Sequence, residues 1–477
     1  MSHAGPAAPA GYLLDGTGFQ PRKSWFRPGW PLAALLVLYP LWWILGMGTL
    51  IVFVLAVPMV VHLARRRPVA VPPGFGIWLL FLVWVLGSML MLGENPPGTL
   101  PDTGASRLVS VGFNLAGYLS ATVILLYAGN LTEAEYPRRR LMRQLGFFFV
   151  VVVCGGLLGV LAPTFQFTSL VEVLLPQSIA QNGFVRSLVH PASSQIQDVL
   201  GFPSPRPSAP FGYTNTWGNC LALLVGWFAV SWLRRADSGP GRRLVGAAVL
   251  GLAAVPVVYS LNRGLWLGIG LIVAIAAVRL ALRGRLLVIG GLLAALTVIG
   301  LVVATSPLAA IIEGRFENPR SNNIREFTVE RTLDVLEHSP VIGLGATRAA
   351  LGSSSSIAIG ADDMCPRCGN PTLGSNGQLW LLLVAQGIGG AVLYFGFFLR
   401  SLWAYRRDRS PIGDAGFLAL LLPFLFMFVY NALTMPLVIS FLSIALLWRN
   451  EQEAERAALR ANLLVPELTD RTPGGLR

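Results

Sequence analysis

Charge is what this sequence has least of. Asp, Glu, Lys and Arg together make up 12% of its residues, about half the share usual in soluble domains. That is too little charged surface to keep 477 residues in water as two or three soluble domains. Acidic residues are the scarcer kind, 23 against 36 Lys and Arg, for a net charge of +13. Four cysteines make no disulfide framework, and Cys154 and Cys220 fall inside apolar runs. Cys365 and Cys368 alone could meet an oxidising compartment. No second Cys or His pair follows them, which argues against a four-ligand zinc site and leaves a disulfide or two ordinary thiols. A removable signal peptide is not expected either. The first 30 residues are rich in Gly, Pro and Ala and end in Arg22, Lys23 and Arg27, and no cleavage site is evident before the second apolar run.

What the chain has in quantity is apolar residues, 54% of the total, with a mean hydropathy of +0.62. Runs long enough to cross a bilayer, roughly 17 to 25 residues each, lie near 30–46, 48–64, 74–93, 107–129, 144–162, 214–233, 244–260, 264–282, 286–305, 377–399, 414–431 and 434–449. These predict an all-α, polytopic integral membrane protein of about twelve helices with a long, partly helical extracytoplasmic loop. The basic residues occupy every second gap: Arg65 to Arg67, Arg138 to Arg140, Arg234 with Arg235, Arg283 with Arg285, Arg406 with Arg407, and both tails. Basic charge confined to short loops points to membrane orientation rather than nucleic acid, and it puts both termini in the cytoplasm. The alternate gaps, 93–106, 163–213 and 307–376, then face outward.

The expected organisation is a cytoplasmic tail over 1–29, helices one to nine over 30–306 with the outer loop 163–213, the extracytoplasmic loop 307–376, helices ten to twelve over 377–449, and a cytoplasmic tail over 450–477. Within the loop 163–213, Phe165, Phe167, Leu170, Val171, Val173 and Leu174 suggest a short amphipathic segment, resting on the membrane or closing over the helices. The stretch 449–464 alternates Glu and Arg and reads as a solvated helix without chemistry.

Two arginines stand out. Arg263 sits in a minimal turn, Ser260 to Gly264, between two long apolar runs and without a carboxylate in its sequence neighbourhood. A cation at the hydrocarbon boundary needs a partner. A guanidinium fork fits phosphate oxygens, while the structural alternative is an arginine reaching to lipid headgroups or to a distant acid. Arg325 lies in an amphipathic helix that Ser321 or Asn322 is placed to cap, with apolar residues at Ile324, Phe327, Val329, Leu333 and Leu336. Arg331 has Asp334 one turn on, but Arg325 has no acid at helical spacing; it is either an anion ligand near the helix N-terminus or part of a solvated face.

The helix is followed by Pro340, Gly343 and Gly345 in a Pro-x-x-Gly-x-Gly pattern. Next come a Gly/Ser-rich stretch and a small polar cluster at Gly374, Ser375, Asn376 and Gly377, which opens a helix containing Gly387-x-Gly389-Gly390. Together with the Ser260-x-x-Arg263-Gly264 turn and the segment Phe211 to Asn215 before the sixth run, this order resembles the O-antigen ligase and O-antigen polymerase family over residues 210–400. The resemblance implies a metal-independent glycosyltransferase without cofactors in the bacterial plasma membrane, acting in cell-surface polysaccharide synthesis. The donor would be a glycan on undecaprenyl pyrophosphate, and the acceptor hydroxyl would belong to a glycan, lipid or protein. Arg263 and Arg325 match the family's two arginines and would hold the leaving pyrophosphate; Asn215, Ser375 and Asn376 would contact substrate. Where the family commonly has His-Asn, this chain has Ser375 and Asn376, so the general base must lie elsewhere. Glu326 is preferred among Glu326, Glu330, His338, Asp362 and Asp363, with His338 expected to satisfy helix C-terminal carbonyls. A transporter or flippase of lipid-linked glycans and a non-catalytic scaffold of envelope synthesis are the rival functions.

Overall fold

The computed structural model describes residues 27–101, 104–198, 200, 202–233, 239–284, 286–305, 308–317, 320–351 and 370–464. Cys365, Cys368, Asp362 and Asp363 lie outside the described residues, as do 1–26 and 465–477. The chain is mostly helical. Its first helices are α1 (Trp30–Val37), α2 (Tyr39–Ile44), α3 (Ile51–Arg65), α4 (Phe75–Ser88), α5 (Gly104–Asn130) and α6 (Arg138–Leu161). Three short helices follow, α7 (Leu170–Leu174), α8 (Gln177–Ala180) and α9 (Gly183–Val189), then an antiparallel hairpin of β1 (Ser194–Asp198) and β2 (Pro203–Pro207). The remainder is α10 (Thr214–Trp232), α11 (Pro240–Tyr259), α12 (Arg263–Ala281), α13 (Leu286–Ala304), α14 (Leu308–Glu317), α15 (Arg320–His338), α16 (Gln378–Tyr405), α17 (Pro411–Phe426) and α18 (Met435–Leu464). Among the described residues, five helices are long and apolar enough to cross a membrane: α5 from Arg107 onward, α6, α11, α12 and α16.

The elements differ from the sequence expectation in three places. The run 30–46 breaks into α1 and α2 where Pro40, which has no N–H to continue a helix, takes the first turn of α2 instead. The loop 163–213 contains a β-hairpin that its apolar pattern did not announce, because Pro203, Pro205 and Pro207 punctuate β2. The expected amphipathic segment contains α7, closed by a capping box between Ser169 and Glu172, with Leu170, Val173 and Leu174 exposed. Residues 435–464 form one continuous helix, so the last apolar run and the charged stretch after it are a single rod.

The core is densest where α18 passes between its neighbours: every residue from Met435 to Trp448 except Pro436, Ser440 and Ser443 is a buried hydrophobic, and those three are buried as well. Trp78 on α4 is fully buried, donates to Thr122 Oγ1 at 2.7 Å, and meets the rings of Tyr118, Tyr394, Phe397 and Phe441 at 4.9–6.0 Å. Satisfying the indole N–H is what makes a tryptophan admissible at that depth. By contrast α11 and α12 bury only 17% of their apolar windows, leaving apolar side chains such as Leu252 and Leu267 on the outside.

α16 is broken at Gly387, whose φ of 66° belongs to the left-handed region that glycine enters freely. The segment after α15 threads through the break. Leu344 and Gly345 donate to the carbonyls of Val384 and Ala385 at 2.8 and 2.7 Å, while Ile388 and Gly389 donate to those of Pro340 and Val341 at 2.8 and 3.1 Å. Trp84 Nε1 takes the carbonyl of Gln386 at 2.9 Å. Non-helical backbone deep in a helical assembly is tolerated only when its polar groups are paired in this way. Gly343 and Gly387 lie so close that a Cβ on either would collide with the other's backbone strand. The Pro-x-x-Gly-x-Gly pattern is therefore a backbone insert into a split helix.

The polar groups at the two ends of the helices form separate sets. At one end, Arg66 pairs with Glu135 at 2.8 Å, Arg138 and Arg449 pair with Glu133 at 2.7 and 2.9 Å, and Asn450 donates to Asp408 at 2.7 Å. Arg283 donates to the Arg409 carbonyl at 3.3 Å, completing a chain of contacts through gaps that the sequence had grouped as basic. At the other end, Leu100 donates to Ala349 and Leu351 to Gly98, tying the 93–101 connection to the segment after α15.

Candidate functional site

The site forms at this second end, around Tyr430. The turn leading into α12 is tight: Leu261 takes φ = 54°, a left-handed conformation that costs a branched side chain about 1–2 kcal/mol. Ser260 on one side of it is buried and gives its carbonyl to Arg206 Nε at 2.6 Å. Asn262 on the other side caps no backbone group; its Nδ2 donates to Asn215 Oδ1 at 3.2 Å and its Oδ1 accepts from the Tyr430 hydroxyl. Arg263 follows as the first residue of α12 and is half-buried. Gly218 and Gly264 make the approach possible. A Cβ on Gly218 would lie 3.3 Å from Asn262 Nδ2, and one on Gly264 would lie 3.1 Å from the Tyr430 hydroxyl.

Tyr430 is held by the start of α16. Gln378 donates its N–H to the Tyr430 carbonyl at 2.8 Å and accepts from the Ala432 N–H at 2.8 Å through Oε1. Leu379 and Trp380 hold Met427 and Phe428 carbonyls at 2.9 and 3.1 Å.

Arg325 reaches the same point from α15. It is close enough to Tyr430 and Arg263 for both to act on it. Burial depresses the guanidinium pKa most, Tyr430 works against that, and the like charge of Arg263 depresses it further. The group stays cationic at neutral pH, because a guanidinium pKa starts so high. Arg206 also acts on Tyr430. Arg206 and Arg325, brought by β2 and α15, thus act on one tyrosine, and Arg263 at the start of α12 acts on Arg325. Arg206 donates to the Ser260 carbonyl and to the Gln197 amide oxygen.

The remaining sequence candidates fall at graded distances from this centre. Asn215 joins it through Asn262. Asn376 donates to Thr328 Oγ1, and Thr328 Oγ1 donates to the Arg325 carbonyl at 2.9 Å, so Asn376 touches the helix turn that carries Arg325. Ser375 is exposed and donates to the Thr372 carbonyl at 2.6 Å. Glu326 and Glu330 are exposed. His338 has not taken the last carbonyls of α15; its Nε2 lies 4.0 Å from Glu94 Oε2, and the Ser339 N–H meets the Leu336 carbonyl instead. The capping expectation fails by position, since α15 starts at Arg320, before Ser321 and Asn322. Arg325 then lies past the first turn, beyond the free amides of the helix. The Arg331 to Asp334 pair is present at 3.0 Å.

Beside this centre lies a cavity of about 470 Å³, lined in part by Arg107, Ser110, Asn182, Thr347, Asn370 and Thr372. Its cations have structural work: Arg107 donates to the Leu92 carbonyl at 2.7 Å, and buried Arg348 donates to those of Ala346 and Leu344 at 2.8 and 3.1 Å. Thr372 links the cavity to the arginine cluster through the turn that ends in Asn376.

Sequence reasoning missed Arg206, Asn262 and Tyr430. One signal was available for Arg206: an arginine in a loop assigned to the outer face runs against the usual distribution of basic residues. Tyr430 gave none, because it looks like one more aromatic in an apolar run. No known protein-family model matches the chain, and no characterised protein matches it either.

Proposed function

We propose that the chain is a twelve-helix membrane enzyme of the O-antigen ligase and polymerase type, transferring a glycan from a polyprenyl pyrophosphate to an acceptor hydroxyl. The observation that supports this most is the gathering of Arg206 and Arg325 about Tyr430, with Arg263 close enough to act on Arg325. Arg263 and Arg325 lie near enough for like charge to act between them, an arrangement that a multiply charged anion would favour. Pyrophosphate, with oxygens on two phosphorus atoms, can engage several guanidinium forks at once.

In this reaction the acceptor oxygen attacks the anomeric carbon and the bond from that carbon to the pyrophosphate oxygen breaks. The electron pair leaves on the lipid pyrophosphate and the hydroxyl proton passes to a base. The arginines stabilise the negative charge as it grows on the leaving oxygens, which is where preorganised cations accelerate a reaction. No cofactor or metal takes part in the scheme. Glu326 is kept as the base, with Ser375 and Asn376 on the substrate side. The amide- and hydroxyl-lined cavity suits the sugar portion of a substrate. The membrane reading is supported by helices over the apolar runs and by basic residues gathered at one end, which would be cytoplasmic in a bacterial plasma membrane.

The size and membrane face of polyprenyl-linked glycans in cells with and without the protein test the reading. Single repeat units accumulating on the outer face indicate a polymerase, and full-length chains there a ligase. Units held on the cytoplasmic face would make the protein a transporter, and an unchanged profile would leave the scaffold role.

A further inference from the structure

α12 runs from Arg263 to Ala281, and its far end, about 27 Å away at 1.5 Å per residue, carries a second basic constellation that the transfer reaction does not use. There the end of α12 and the connection from α16 to α17 enclose a cavity of about 380 Å³ lined by Arg279, Leu282, Arg283, Arg406, Asp408 and Arg409. Four guanidinium groups face it with one carboxylate. Asp408 is already engaged, accepting from the Ser410 N–H at 2.8 Å and from Asn450 at 2.7 Å. Arg279 and Arg283 share the single carboxylate of Asp414, each at 2.7 Å. Arg406 lies flat over Trp403, 3.7 Å from the ring centroid, which fixes its plane. The positive charge of the cavity thus exceeds the acidic charge the surrounding helices supply.

The rim is apolar and exposed. Leu282 is 82% exposed, Val278 one turn before it 58%, Trp403 60%, and Leu399 one turn before that 58%. Two apolar rails therefore run from the mouth of the cavity along α12 and α16, in the direction of the helix axes. A soluble anion would use the cavity and leave the rails bare. A molecule with a phosphate at one end and hydrocarbon chains behind it would cover both.

We propose that this cavity binds the phosphate of an anionic glycerophospholipid, with the acyl chains lying along Val278, Leu282, Leu399 and Trp403. Basic pockets between membrane helices suit such headgroups, and arginine forks grip a phosphodiester from its oxygens. The inference stands apart from the transfer reaction, since it concerns the opposite end of α12.

The full-length protein, purified in a neutral detergent, is titrated with phosphatidylglycerol or with phosphatidylcholine of the same chain length, and bound lipid is counted by native mass spectrometry. Phosphatidylglycerol is expected to bind about tenfold more tightly, the loss of one charged contact being about 1.4 kcal/mol. R406Q/R409Q removes that preference, R406K/R409K weakens it without abolishing it, and L282E on the rim lowers phosphatidylglycerol binding through charge repulsion. R263Q leaves it unchanged. Unchanged thermal unfolding of the variants shows that they are folded. Equal binding of the two lipids, or wild-type preference in R406Q/R409Q, would overturn the proposal. So would displacement of the lipid by glycerol phosphate at equal concentration, which would mean that the chains contribute nothing.

Discussion

At the Arg279 end of α12 the arginines are matched to acids: Arg279 and Arg283 to Asp414, and, in the same polar set, Arg66 to Glu135 and Arg138 with Arg449 to Glu133. At the Arg263 end the charge acting on Arg325 is that of another arginine. The same residue type is used to close helix ends in one place and to gather positive charge in the other. Ion pairs hold the helices together at the first end, even where arginines outnumber the acids beside them; like charges gathered at the other end attract an anion. The first contributes to folding, and the second is available for function.

The strongest way to break this contrast is to remove a cation from the cluster. Arg263→Ala and Arg325→Ala are each expected to lower glycan transfer by at least about a hundredfold, since a charged hydrogen bond is worth about 1.5–3 kcal/mol and the transition state uses more than one. Arg263→Lys, which keeps charge but loses the fork, should retain partial activity in the same assay. Full transfer by the alanine variants would put the cluster with the structural arginines. Glu326→Gln tests the base: turnover should vanish while donor binding survives, and unchanged turnover removes Glu326 from the chemistry.

Next in size is the opposite end. Asp414→Asn is expected to destabilise the protein by about 1.5–3 kcal/mol, by weakening two charged pairs, measured as a shift in thermal unfolding with transfer per folded molecule unchanged. A drop in transfer without loss of stability would erase the distinction between the two ends. The smallest effect belongs to Arg331→Ala. Its exposed pair with Asp334 should be worth about 0.2–0.5 kcal/mol, and transfer should not change. This variant separates general loss of charge on α15 from loss of Arg325, which acts on Tyr430.

Much of the fold was legible. Most apolar runs coincide with helices, and the basic gaps at 65–67, 138–140, 279–283 and 406–409 meet in polar contacts at one end, because apolar length and charge are recorded residue by residue. Arg263 and Arg325 were legible for the same reason: a cation without an acid at helical spacing is a local fact of sequence. What escaped depends on contacts between distant segments. Tyr430 matters because Gln378 and Leu379 hold its connection against the turn at Asn262, a meeting of three segments that no local pattern encodes. The split in α16 was hidden in the same way. Gly387 announces freedom of conformation, but only the arrival of Gly343 and Leu344 gives that freedom a use. The hairpin carrying Arg206 was lost behind its prolines.

The central claim is that Arg263 and Arg325 form one pyrophosphate site, and donor binding tests it most directly. Affinity for a polyprenyl-pyrophosphate-linked glycan would be measured on the protein in neutral nanodiscs, for wild type, Arg263→Gln, Arg325→Gln and the double variant. The site predicts a loss of about tenfold or more for each single variant and a double-variant loss smaller than the two combined, since neighbours sharing one ligand are not additive. Wild-type affinity in all three variants would contradict it.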